Sequence, residues 1–286
     1  MESSRSRPRA RLPAPKFTLR LPSKPLSGIY IANSVSQDAL TQGGGRFPAT
    51  RWSVVAAARS QNPDERARAL ETLFAAYWKP VYKYVRLRWN RPPEDAQDLT
   101  QGFFIELLER NLLARFDPRK SRLRTYLRLC VDSFAANTEK AAGRQKRGGN
   151  ATHVPLDFEA AEGELNSTAM GPAAIPSPDS LEEFFEKEWI RSLFALAVED
   201  LRTLCVERER EKTFHLFEAY DLDGSDDVSY EQLSREYGIP VTDVTNALAW
   251  ARREFRRIAL ERLQEICASE EEFQREARSV FGWDVK

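Results

Sequence analysis

The chain has 286 residues, enough to bury one or two cores, and its 43 Lys/Arg side chains balance its 43 Asp/Glu. No run of about 18 apolar residues occurs, which excludes an apolar membrane-spanning helix. Three cysteines without a CxxC pair (Cys130, Cys205, Cys267) and only two histidines (His153, His215) argue against a His-based metal site or catalytic triad; the expectation is a cytoplasmic protein with reduced thiols and no cofactor.

Zero net charge hides blocks of opposite sign. Residues 1–48 carry eight basic side chains against Glu2 and Asp38, are rich in Arg, Pro, Ser and Gly, and show no helical period. They read as a disordered basic extension. From Ala49 the pattern turns helical, with Trp52, Val55 and Ala56 on a short apolar face. Asn62-Pro63, followed by Glu65, has the form of a helix cap with proline at the first helical position. Leu70, Leu73, Phe74 and Tyr77 then face inward, Pro80 restarts the chain, and Val81, Tyr84, Val85 and Trp89 continue the core.

The most informative stretch runs from Glu94 to Gly148. Ala96, Leu99, Phe103, Leu107 and Leu108 recur at helical spacing. Asp95 and Glu106 are eleven residues apart, as are Asp98 and Glu109, so these acids form a stripe about three turns long beside the apolar face. From Arg110 onward the sign reverses, with eleven Lys/Arg against Asp117, Asp132 and Glu139. A second helix is expected near Ser121, with Leu123, Leu127, Cys130 and Phe134 inward and Arg122, Arg124 and Arg128 outside that stripe. A switch of sign between neighbouring helices suggests a basic partner for one and a polyanion for the other. The plainer reading is a solvated charged surface on a helical bundle.

Residues 150–179 form an acidic, proline-containing linker; no Lys or Arg occurs from Asn150 to Glu186. A second helical unit is expected over 180–265, opened by the capping pair Ser180 and Glu183. Phe185, Trp189, Leu193, Leu196 and Leu204 supply its first apolar positions, and Phe214, Phe217 and Tyr220 the next. Ser229 and Gln232 then open a short helix that stops at Gly238. Ile239-Pro240-Val241 makes a turn, and Thr242 caps a longer helix with Val244, Leu248, Ala251, Phe255 and Ile258 inward. Helix, glycine turn, helix is the helix-turn-helix layout. Arg252, Arg253, Arg256, Arg257 and Arg262 make the far end of its second helix basic. Residues 266–286 are left as a C-terminal tail. Between these units, Asp221-Leu-Asp223 begins an EF-hand-like run, but Asp226 stands where that loop needs glycine and Gln232 where it needs a bidentate Glu, so a solvated loop is expected.

The ordered set PEDAQDLTQGFFIELLE, FDPRKSRLRTYLR and QKRGG, preceded by TRWSVVAAARS and LETLFAAYWKPVYKYVR, resembles domain 2 of bacterial extracytoplasmic-function sigma factors. The resemblance covers Ala49 to Gly149 and resumes over Ser180 to Leu263, which is similar to sigma domain 4. It implies an all-α protein of two small helical domains, 49–149 and 180–265, joined by a flexible linker, with no catalytic chemistry. It further implies that Asp95, Asp98, Gln101, Glu106 and Glu109 dock on core RNA polymerase at the β′ clamp coiled coil, with the β flap as a second contact. Promoter DNA would be met in the −10 region by Arg119, Lys120, Arg122, Arg124, Tyr126 and Arg128. In the −35 region it would be met by Thr242, Asp243, Thr245 and Asn246 at base edges and by Arg252, Arg253 and Arg256 near phosphates. Many relatives carry an aromatic where this chain has Leu123; Tyr126 and Phe116 lie nearby, so the residue lining a nucleotide pocket stays open. An anti-sigma factor or other regulator is a further partner that the resemblance admits. Two other classes remain: a helix-turn-helix regulator that never engages polymerase, and a nucleic-acid enzyme, which would need carboxylates clustered in a pocket rather than spread along a helix.

Overall fold

The computed structural model describes residues 54–58, 60, 62–142, 156–167, 178–223 and 228–282. The basic extension 1–48 and the linker segments 150–155 and 168–177 lie outside them, as do 143–149, 224–227 and 283–286. All regular structure among the described residues is helical.

After a single turn, α1 (Val54–Ala57), the chain enters α2 (Pro63–Arg88), the hub of the fold. Asn62 caps it as expected, its side-chain oxygen accepting from the N–H groups of Asp64 (3.0 Å) and Glu65 (3.5 Å), with Pro63 at the first helical position. Pro80 does not restart the chain; α2 runs straight through it. An interior proline costs about 3 kcal/mol. Tyr77, Val81, Tyr84 and Val85 surround it and are almost wholly buried, and burial of each such side chain stabilises by roughly 1.5–3 kcal/mol, so packing outweighs the lost hydrogen bond. From residue 76 to 87 nearly every side chain of this helix is buried, because α3 (Pro93–Glu109), α5 (Phe158–Ser167) and α6 (Pro178–Glu207) enclose it.

A left-handed Asn90 turns the chain into α3, which buries Ala96, Phe103, Phe104 and Leu107. A second left-handed residue, Asn111, leads to a 3-10 turn at Leu112–Arg115. Phe116 then packs on Tyr126 of α4 (Leu123–Ala142), whose hydroxyl donates to the Leu112 carbonyl at 2.8 Å. The acidic segment that was expected to be only a tether contributes α5, which lays Phe158, Ala161 and Leu165 into the core of α2.

α6 begins at Pro178, so Ser180 lies in its first turn rather than at its cap. Its course also differs from the expected boundary between two units. Leu181, Phe185, Trp189 and Leu193 belong to the core built around α2, whereas Phe194, Val198, Leu201 and Cys205 belong to a second core with α7 (Glu211–Phe217), α8 (Tyr230–Tyr237) and α9 (Val241–Ile266). One uninterrupted apolar stripe therefore threads both cores. α9 does the same in reverse: Leu248, Phe255 and Ile258 serve the second core, Leu263 and Ile266 the first. The tail is part of this fold, because α10 (Glu270–Phe281) buries Phe273 and Ala277 in the first core.

Candidate nucleic-acid interface

The helix-turn-helix hairpin is built from local signals. Ser229 caps α8 by accepting the Gln232 N–H at 3.1 Å. Gly238 ends that helix in the left-handed region at φ 62°, where a side chain would be strained. Ser234 donates its hydroxyl to the Ile239 carbonyl at 2.6 Å and ties the turn to α8. The cap of α9 is Pro240, not Thr242, which sits instead in the first turn. Thr242, Asp243, Thr245 and Asn246 are all exposed there, with Val244 and Leu248 buried beneath them.

Farther along α9, Arg253 and Arg256 are exposed. Arg252 is not. Its guanidinium donates to the buried Asp221 carboxylate at 3.0 and 3.1 Å and to the Tyr230 hydroxyl at 3.2 Å, and lies 5.2 Å from the Tyr220 ring centroid. Burial pushes the Asp221 carboxyl above its usual range, against the pull of Arg252. This also removes the first residue of the EF-hand-like run from any ligand set, and among the described residues no group of His, Cys, Asp or Glu is placed to hold a metal ion. The expected basic end of α9 is largely neutralised: Arg257 pairs with Glu254 and Glu261, and Arg262 with Asp200 and Glu265.

On α3, Asp95, Asp98 and Glu109 are exposed and Glu106 is half-buried. Arg91 approaches Asp95 at 4.0 Å and Arg110 approaches Glu106 at 3.5 Å, while Asp98 and Glu109 make no ion pair among the described residues. Gln101 lines a small apolar depression with Phe74, Trp78, Phe104, Ile105, Leu108 and Leu156, beside the acidic line.

The basic stretch after α3 divides in two. Arg119 and Lys120 are exposed, Arg119 forking onto Asp117 at 3.0 and 3.1 Å and holding that carboxyl below its usual range. The arginines of α4 turn inward, contrary to the expectation that they stand outside the packed face. Arg124 is only 3% exposed. It pairs with Glu276 of α10 and with Glu186 of α6 at 3.1 Å, and its guanidinium lies 4.8 Å from the Trp189 ring centroid. Arg128 meets Glu182 at 3.0 Å and Asp132 at 3.6 Å. Arg122, at the rim, is 3.4 Å from Glu276. Glu272 completes the group by accepting the N–H of Leu123 and that of Ala268, each at 2.8 Å. Burial pushes Glu276 above the usual carboxyl range, although Arg124 and Arg122 oppose it. Tyr126 is half-buried, and its hydroxyl is held by Leu112.

Sequence reasoning did not single out Glu182, Glu186, Glu272 and Glu276 as partners of these arginines. The available signal was the four-residue spacing of Glu272 and Glu276, interleaved with Phe273 and Ala277, which puts acids and apolar residues on neighbouring faces of α10. No protein-family model, curated protein or solved structure matches the chain.

Proposed function

We propose that this chain is a sigma-type transcription initiation factor that binds core RNA polymerase through α3 and promoter DNA through α9 and the α4 region. One observation carries the reading: two chemically different faces stay open on the same chain. They are the carboxylate line of α3, with Asp98 and Glu109 outside any described ion pair, and the polar first turn of α9 at the end of a capped helix-turn-helix. An acid line complements a basic coiled coil, and hydroxyl and amide side chains at a helix N-terminus suit base edges in a major groove. The sequence resemblance to sigma domains 2 and 4 gives both faces one function.

The test is Asp98→Lys with Glu109→Lys. Both sites are exposed, so stability changes by only about 0.5 kcal/mol, while two new like charges oppose a basic partner. Capture of core polymerase is lost, and with it permanganate-detected promoter opening. Undiminished capture makes the line a solvated face and removes the sigma reading. A second reading, a helix-turn-helix regulator independent of polymerase, is favoured by the internal pairing of Arg124 and Arg128. It predicts DNA binding by α9 with no capture of polymerase by the unmutated chain.

A further inference from the structure

We infer that α10 is an intramolecular clamp that holds the arginine face of α4 shut against nucleic-acid phosphates. The inference rests on the reading of that face as a nucleic-acid contact. Arg122 and Arg124 are held by Glu276, and the α4 backbone at Leu123 by Glu272, from residues 149 to 154 positions away at the far end of the chain. Glu186 and Glu182 of α6 close the other side over Arg124 and Arg128. Carboxylate oxygens thus stand where phosphate oxygens would stand, paired with the same guanidinium groups.

The construction of α10 suits displacement as a unit. Ser269 caps it at one end by accepting the Glu272 N–H at 3.2 Å, and Gly282, at φ 65°, closes the other. Neither cap depends on α4. Its apolar hold is short, Phe273 and Ala277 being buried and Val280 and Phe281 only partly so, and release must uncover this surface along with the ion pairs. The carboxylates and arginines that separate are all charged groups, which water receives readily. DNA phosphates and the α10 acids compete for one set of cations, and the closed state wins whenever phosphate is absent.

The experiment compares two charge-matched double variants of the full chain, Glu272→Gln/Glu276→Gln and Glu270→Gln/Glu271→Gln, the second pair being exposed. Each is titrated against a fluorescein-labelled DNA duplex carrying an unpaired bubble. The first variant gains about tenfold in affinity over the second, the factor expected when the competent state is populated about a tenth of the time before release. Hydrogen exchange at the Leu123 amide, whose acceptor is Glu272, speeds up in the same variant. Adding Arg124→Glu cancels the affinity gain. If Glu272→Gln/Glu276→Gln loses helicity, Glu182→Gln/Glu186→Gln, which opens the α6 side, decides by the same comparison. Equal DNA affinity in the two charge-matched variants, with faster exchange at Leu123 in the first, overturns the clamp. Polymerase capture is scored separately. A gain in DNA affinity without capture keeps the clamp and removes the sigma reading; capture without a gain does the reverse.

Discussion

α5 and α10 each lay carboxylates on the basic face of another helix, but at different depths. On α2, Glu162 accepts from Arg86 at 2.9 Å and from the Tyr82 hydroxyl at 2.8 Å, and Glu164 bridges Lys79 and Lys83 at 2.7 Å each. Glu162 is held below the usual carboxyl range chiefly by Arg86; at Glu164 burial opposes ionisation, yet Lys83 and Lys79 together still hold it below. On α4, Glu276 is only 3% exposed and pushed the other way. The same pairing of acid and base therefore stabilises α5 through its charge, whereas on α10 ionisation works against burial. A contact of the first kind fastens; one of the second kind is poised to exchange.

The comparison is broken most severely at Arg124. Arg124→Met leaves Glu276 buried with only the rim cation Arg122 and removes the stack on Trp189. Removing one partner of a buried pair costs about 3–5 kcal/mol, and urea unfolding reads it as a lower midpoint. A loss under 1 kcal/mol would mean that Glu276 simply takes up a proton and the pair stores little. Next comes the α5 contact. Glu162→Gln with Glu164→Gln keeps the shape and removes the charges facing Arg86 and Lys79, while Lys83 keeps Glu188 at 2.6 Å. Hydrogen bonds to charged groups contribute about 1.5–3 kcal/mol each, and the glutamine amides retain part of that, so the double change costs about 2 kcal/mol.

Acid separates the two contacts by sign. A carboxyl whose folded pKa is depressed contributes stability that is present above its unfolded value, near 4.5, and lost as pH falls through the folded value. The gap between the unmutated chain and Glu162→Gln/Glu164→Gln therefore closes as pH drops below about 4.5. Glu276, with a raised folded value, does the opposite. Its proton-linked contribution is present below the unfolded value and is lost as pH rises through the folded one. Relative to Glu276→Gln, the unmutated chain gains stability on acidification across that window. Parallel pH profiles for the two variants would erase the distinction between the contacts.

These depths explain what could be read from the residues alone. Asn62 and Ser229 announce their helices because capping is settled within three residues, and the α3 stripe follows from period alone. The turn at Gly238 was legible for the same local reason. Pro80 misled because the packing that carries α2 through it comes from helices remote in sequence. The continuity of α6 across two cores was hidden likewise: its apolar positions look the same whichever core receives them. Arg124 was assigned to the surface because arginine is rarely buried without a partner, and its partner Glu276 lies 152 residues away. Periodicity places a side chain on a helix face but not what covers that face.

The smallest expected effect belongs to Arg122, and it sharpens the comparison most finely. Its side chain is 35% exposed and lies 3.4 Å from Glu276. Solvent screens such a pair, so Arg122→Gln lowers stability at neutral pH by only about 0.5 kcal/mol. The effect on Glu276 is the informative part. Burial already pushes that carboxyl up, and Arg122 is one of the two cations that oppose burial. With Arg122 gone, Arg124 alone opposes it, so the carboxyl moves further up and the stability gained on acidification appears at a higher pH. The α5 carboxylates keep their own partners, so the acid-side loss assigned to Glu162 and Glu164 stays where it was. Side-chain carboxyl titration by NMR, with urea midpoints taken across the same pH range, measures both. An unmoved Glu276 titration would show that the carboxyl is governed by Arg124 alone and that the rim arginine has no part in holding α10 to α4.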